Sequence, residues 1–426
     1  MRGDARARLA HNRNEEEPGM KITHVQTFVV GVPAPFKGGI NWVFVKLGTD
    51  EGVEGWGECN AAGFREKTLV QYVKEMSEHF LIDRQSPFDI ELLWGRMYGG
   101  DDTVFNPLMR HPGTFTCQAL AAIEMACWDI VGKSLNQPVY NLLGGQYHKK
   151  LRSYTYMHYE WHQGDAPEKA GEAATRLRDS GFSAVKLDPV PPYFPAPREL
   201  SLTELKYAEA VIQNIRAAVG SSCDILIGTH GQLTTHSALR LAKVLEPFDP
   251  LWFEEPVPLE NIDEMARVAA STTIPIATGE RLATKWEFRQ LFEKQAAQII
   301  QVNVGFNGIL ESKKIAAMAE AHYAQIAPWM HCGPIAGAAA MQLDVCSPNF
   351  LIQEGLEKWD GFHADILREP IQWEKGYLIP SGRPGLGVEP DERVFAKHPP
   401  HEYSGAEVQE VLRRRRRAGE VLRGQI

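Results

Sequence analysis

Several things are missing from this chain, and each absence narrows what it does. None of its 426 residues falls in a run of the roughly 18 apolar positions that a membrane-spanning helix needs. The opening stretch, M-R-G-D-A-R-A-R-L-A-H-N-R-N-E-E-E-P-G, has no apolar centre and does not read as a signal peptide. The six cysteines (Cys59, Cys117, Cys127, Cys223, Cys332, Cys346) are scattered, with no C-x-x-C spacing. Several lie in apolar runs, where a buried thiol is the ordinary reading, and a reducing, cytoplasmic setting fits. Positive charge is not in excess: 45 Lys and Arg stand against 54 Asp and Glu, for a net charge of −9. That balance argues against non-specific nucleic-acid binding and against anionic membranes. An anionic small-molecule substrate would therefore need a local cation, from a metal or a few Lys and Arg.

What remains is the composition of a soluble globular protein, 44% hydrophobic and 23% charged, long enough for a barrel plus a smaller domain. Residues 1–19 read as a disordered leader. Met20 to Val30 alternates as a strand, and the segment around Trp42 to Asn60 reads as a hairpin turning at Asp50-Glu51-Gly52. Helical segments follow, the strongest from Cys117 to Gly132, so residues 20–145 form an α+β domain. From Lys150 the pattern changes to strand and helix in alternation. Candidate strands are 151–157, 184–188, 225–229, 251–254, 274–280, 298–303, 324–329 and 350–354. Eight such runs suggest an α/β barrel over residues 146–360, although a doubly wound sheet would alternate in the same way. Residues 361–400 are too Gly- and Pro-rich for the barrel and are expected to return to the first domain. Residues 401–426 form a charged tail that includes Arg413–Arg417, read as a frayed helix.

Catalytic groups of a barrel sit at the carboxyl ends of its strands. Gly228, Glu254 and Glu280 end three successive runs at equal intervals, and two glutamates on neighbouring strand ends suit a hard divalent cation. Only one of the adjacent pair Glu254 and Glu255 is expected to face inward. Lys186 and Asp188 share one face of their strand, as a base or carboxylate anchor, or as a Lys–Asp pair closing the barrel end. His230 is placed to pass a proton to a leaving group. Asn303, Trp329, His331 and Glu354 close the later strands. Asn303 can hydrogen-bond but not act as a base, and Trp329 reads as a pocket wall.

These residues sit among motifs that resemble the enolase superfamily, in its mandelate racemase/muconate lactonizing enzyme-like group, and most of all its sugar-acid dehydratases of the galactonate dehydratase type. The motifs are G-W-G-E-C at 55–59, A-L-A-A-I-E-M-A-C-W-D-I-V-G-K at 119–133, P-V-Y-N-L-L-G-G at 138–145, W-F-E-E-P-V at 252–257, P-I-A-T-G-E-R at 275–281, I-L-E-S-K-K-I-A-A-M-A-E-A at 309–321 and P-G-L-G-V-E at 384–389. The resemblance implies an α+β capping domain over a modified (β/α)7β barrel. It implies removal of a proton α to a carboxylate, with Mg2+ (or Mn2+) stabilising the enediolate. Carried over by position, the second and third metal ligands fall on Glu254 and Glu280, with Asp188 as a substitute third, because the first position is Gly228. The leaving-group histidine falls on His230 and the second-strand base on Lys186. The seventh-strand histidine is replaced by Trp329 and its aspartate partner by Asn303, leaving His331 as the reserve base. The eighth-strand acid falls on Glu354. Asn303, Trp329 and Glu354 would contact substrate, and loops around Phe36–Trp42 and Cys59–Phe64 would close over it.

The expected activity is a metal-assisted lyase, a dehydratase of a hydroxy-acid or sugar-acid substrate. Two alternatives share the scaffold: an isomerase (racemase, epimerase or cycloisomerase), and a non-catalytic binding protein, the latter motivated by Gly228, Asn303 and Trp329. A homo-oligomer is what the resemblance implies.

Overall fold

The computed structural model describes residues 19–60, 65–100, 113–157, 167–190, 195–410 and 413. Residues 1–18 of the leader, part of the Cys59–Phe64 loop, and residues 411–412 and 414–426 of the charged tail lie outside the described residues. The first unit is an antiparallel sheet of β1 (Ile22–Gly31), β2 (Asn41–Thr49) and β3 (Glu54–Cys59). Its hairpin closes at the expected turn, where the Val53 N–H donates to Thr49 Oγ1 at 3.0 Å. The helix Thr114–Ser134 lies directly on β3. That packing explains the G-W-G motif: a Cβ on Gly57 would sit 1.8 Å from the Ala122 carbonyl oxygen. Only glycine lets the helix backbone come so close.

The second unit holds eight parallel strands: β4 (Leu151–Tyr156), β5 (Ala184–Leu187), β6 (Asp224–Gly228), β7 (Trp252–Glu254), β8 (Ile276–Thr278), β9 (Ile299–Ile300), β10 (Gln325–Ile326) and β11 (Gln353–Gly355). From β4 to β10 each pairs in parallel with the next, and β11 pairs with β4. The bridge from Ile326 to Phe350 closes the ring, so the alternation is a barrel and not an open sheet. A helix follows each of the first seven strands, as in Leu202–Val219, which begins at a Ser201/Glu204 capping box. The long helix Val304–Ala321 is broken at Gly308, so its regular part begins at Ile309.

Beyond the barrel, β12 (Gln372–Glu374) and β13 (Tyr377–Ile379) form a hairpin that extends the barrel sheet along β4. The chain then crosses to the first unit. Phe395 packs on Phe28, Phe44 and Trp56, and Glu389 accepts from Trp56 Nε1 and Lys133 Nζ. The segment 361–400 thus serves both units. Among the described residues no helix is long and apolar enough to cross a membrane.

Candidate active site

One buried apolar side chain from each barrel strand builds the barrel interior: Tyr154, Ala184, Leu226, Trp252, Ala277, Ile299, Ala327 and Ile352. Five large side chains and three alanines make up this layer, an apolar floor across the barrel. Side chains on a strand return to the same face every second residue. Two residues further on, the next inward layer therefore carries Tyr156, Lys186, Gly228, Glu254, Gln301, Trp329 and Glu354. An apolar floor with a polar layer above it, at the carboxyl ends of the strands, is where barrel chemistry is done.

Lys186 is 1% exposed, and its Nζ lies 2.5 Å from Glu254 Oε1 and 3.5 Å from Glu354 Oε1. Burial opposes its charge, but the two glutamates hold the ammonium protonated well above the usual lysine range. The second oxygen of Glu254 accepts from Trp252 Nε1 at 3.0 Å and Gln301 Nε2 at 2.7 Å. Glu354 Oε2 accepts the Met330 N–H at 2.8 Å. Burial raises the Glu354 carboxyl above its ordinary range, against the pull of Lys186. A Lys186–Asp188 pair does not form: lysine reaches across the barrel instead of along its own strand.

Asp188 belongs to a different group. Its Oδ1 accepts from the Tyr156 hydroxyl, and its Oδ2 lies 3.1 Å from His230 Nε2. Tyr156 also approaches the same imidazole nitrogen, at 3.2 Å. The Asp188 carboxylate, which outweighs burial and is aided by Glu280, pushes the His230 pKa up to about 10. The imidazole is therefore charged at neutral pH. Its side chain is still 37% exposed, so a ligand can reach it. Gly228 faces this group: a Cβ there would meet Asp188 Oδ1 at 2.7 Å and the Tyr156 hydroxyl at 3.2 Å. The space of a side chain at 228 is already taken.

Glu280 follows Gly279, whose φ of 130° turns the chain off the strand. Its Oε2 is buried and has no hydrogen-bond partner. Burial, with Glu255 and Glu254 nearby, raises its pKa to about 8. Glu255 corrects the expectation that only one of the two adjacent glutamates turns inward. Its left-handed backbone, φ 41°, leaves it fully buried beside Glu254, and its carboxylate pairs with Arg281. Asn303 donates from Nδ2 to the Glu280 carbonyl at 3.2 Å, so it supports the loop that carries Glu280. Trp329 and His331 are half-buried, with ring centroids 6.2 Å apart.

The expected Mg2+ ligands, Asp188, Glu254 and Glu280, are not gathered into one donor set. Both oxygens of Glu254 and both of Asp188 are engaged by protein donors, position 228 offers none, and only Glu280 has an oxygen without a partner. Among the described residues no three His, Cys, Asp or Glu side chains are grouped to hold a metal ion. As arranged, the residues do not fit a three-carboxylate metal site. The reason is Lys186, which brings a positive charge of its own among the glutamates.

Beside His230 opens a cavity of about 700 Å³, also lined by Arg281, Thr234, Thr235 and Glu260. On another side, Lys37 of the first unit reaches Glu357 at 2.5 Å, and Trp42 stacks on Phe362. The Phe36–Trp42 loop is thus anchored beside the end of β11. Tyr156, Gln301, Trp252 and Arg281 were not anticipated as members of the site. Tyr156 ends the first barrel strand in a position equivalent to Lys186, and that periodicity was the signal available for it.

Residues 169–394 match the family model for the enolase C-terminal domain-like fold, and residues 25–144 match the mandelate racemase/muconate lactonizing enzyme N-terminal domain. D-galactonate dehydratase of Cronobacter sakazakii is 36% identical over 386 residues, covering 88% of this chain and 93% of that protein. A crystal structure from Labrenzia alexandrii, provisionally named a mandelate racemase/muconate lactonizing enzyme, superposes with a TM-score of 0.85 at 45% identity, covering 90% of this chain and 96% of the other. The mandelate racemase/muconate lactonizing enzyme from Sulfitobacter sp. gives 0.84 at 38% identity, covering 91% and 97%. With both of its units matched and the barrel closed, the chain belongs to the enolase superfamily, in the mandelate racemase/muconate lactonizing enzyme group, and is similar to D-galactonate dehydratase.

Proposed function

We propose that the chain is a hydro-lyase that removes water from a small hydroxy-carboxylate of the sugar-acid class. The observation that carries this reading is His230: an imidazole kept charged by Asp188, still reachable, at the edge of a cavity of about 700 Å³. A charged imidazole there is a proton donor for a departing hydroxyl. In the elimination, a base takes the proton α to the carboxylate and its electrons form the double bond. The β-hydroxyl leaves with the proton from His230 as water, and the enol relaxes to the 2-keto acid. Lys186, fixed between two glutamates, does not serve as the base in this arrangement. It acts as a buried positive charge facing the developing enediolate. His331 is the candidate acceptor of the α-proton. Enolase-superfamily members generally use a divalent metal, usually Mg2+. Because the donors here do not fit one, no step is assigned to it.

The test is a panel of acid sugars incubated with purified protein, with and without Mg2+, read by mass spectrometry for loss of water. Product of unchanged mass would favour an isomerase. No turnover of any member, with tight binding of one, would favour a binding protein on this scaffold. The filled space at Gly228 is the observation that keeps that second reading in play.

A further inference from the structure

The positive charge at the centre of this barrel mouth comes from the chain itself. Lys186 Nζ sits between Glu254 and Glu354, at 2.5 Å and 3.5 Å, and is closed off from solvent. Glu254 has no oxygen to spare, since Trp252 and Gln301 hold the other one. The aromatic rings of Tyr154 and Tyr156 flank the ammonium, with centroids 5.9 Å and 5.1 Å from Nζ. Both present faces that favour a cation. At position 228 the glycine offers no side-chain donor, and the space a side chain would take is occupied by the bonded pair of Asp188 and the Tyr156 hydroxyl. A single positive charge therefore stands among the glutamates, with no further acid at position 228. A divalent cation balances about twice the negative charge that an ammonium does, so a site built around a lysine needs fewer acids.

We propose that Lys186 is the resident cation of this site, in place of a divalent metal, and that the site receives its carboxylate ligand without one. The inference rests on the hydro-lyase reading only for the class of ligand. The charge arrangement stands on the geometry. A ligand carboxylate or enediolate would meet a unit charge fixed by Glu254, with His230 as a second, reachable cation. Glu354, the more distant partner of Lys186, is the contact such a ligand would loosen.

The test is calorimetric titration of the full-length, EDTA-treated protein with Mg2+ and with Mn2+, alongside thermal denaturation. No saturable binding at millimolar cation and an unchanged Tm are expected. One-to-one binding that is lost in Glu254→Gln would overturn the proposal. In Lys186→Met, the Glu254 and Glu354 oxygens that face the ammonium lose it, and Glu280 Oε2 is already without a partner. That variant is expected to gain about 1–2 °C in Tm with Mn2+ present at some ten times its dissociation constant. A folded Lys186→Met that does not respond to Mn2+ would sink the claim that the ammonium stands in the cation's place. If that variant fails to fold, the titration of the unmodified protein still decides. Dehydration of an acid sugar in EDTA supports both readings. Dehydration that appears only with Mg2+ keeps the hydro-lyase and overturns the resident ammonium. No dehydration in either condition removes the hydro-lyase reading and leaves the titration to judge Lys186.

Discussion

Two sets of buried carboxylates meet opposite treatment in this molecule. Between the two units, Glu58 accepts the N–H groups of Gly333 and Ala336, at the start of the barrel helix Pro334–Val345. Glu124 accepts those of Ile309 and Leu310 at 2.8 Å each, where the helix resumes after Gly308. Each is a side chain of the first unit satisfying backbone donors at a helix start in the second. At the barrel mouth the acids instead face side chains: Lys186 for Glu254, Tyr156 and His230 for Asp188, Arg281 for Glu255, and nothing for one oxygen of Glu280. The helix-start donors are fixed in direction by their helices and buried between the units, whereas side-chain partners can rotate away to admit a ligand. The first set locks the units together, and the second is open to chemistry.

The strongest way to break this comparison is His230→Asn. Turnover of the hydroxy-acid substrate is expected to fall by about 10²- to 10⁴-fold, the worth of a positioned general acid, in protein that remains folded, while urea denaturation separately reads the stability lost with the Asp188 pairing. A change in stability alone would move His230 into the structural set. Glu58→Ala and Glu124→Ala test the other side. Each strands two buried N–H groups, and a loss of about 2–4 kcal/mol in urea denaturation is expected. Gly228→Ala comes next. Its methyl group would press on Asp188 and the Tyr156 hydroxyl, so a loss of about 1–3 kcal/mol is expected, with a lowered His230 pKa by NMR titration. A folded variant with an unchanged His230 titration would mean that the Asp188 group is not held as described.

The smallest expected effect is in pH dependence, where the two sets differ in window and not in sign. Burial raises Glu58 and Glu124 to about 7, above an ordinary carboxylate near 4.5. A folded-state pKa above the unfolded one gives stability that is complete at low pH and lost as pH rises through the folded value. The interface contribution should therefore fade between about 4.5 and 7. His230, raised from 6.5 to about 10, should lose its contribution over that higher range, and Glu280 between about 4.5 and 8. Thermal denaturation from pH 5 to 10 checks this. His230→Asn should flatten only the upper limb, and Glu58→Gln with Glu124→Gln only the lower.

Much of the scaffold was legible beforehand. All eight barrel strands fall within a residue or a few of the apolar runs, because a parallel strand buried on both faces leaves an uninterrupted hydrophobic stretch. The helix Leu202–Val219 is bounded by local signals, Ser201 at one end and Gly220 at the other. The candidate residues do end their strands, since period-two geometry is local. Their partners were less legible. Lys186 shares a strand face with Asp188, two residues away, but pairs with Glu254 on the second strand over. Alternation allows only one of Glu254 and Glu255 to face inward, a rule that the left-handed backbone at Glu255 breaks.

The sequence by itself determined the alternation of strand and helix, the G-W-G contact surface and the order in which polar residues arrive at the strand ends. These follow from backbone geometry and burial over a few residues. Only the tertiary structure decided that Lys186 meets Glu254 and Glu354, that Asp188 turns to Tyr156 and His230, and that the space at Gly228 is filled. Barrel closure brings β11 beside β4 and points eight strand ends at one axis. Charge pairs form between whichever groups then lie within a few ångströms in a poorly solvated interior, where attraction is strongest. Such distances are set across the barrel and leave no trace in the spacing of residues along the chain.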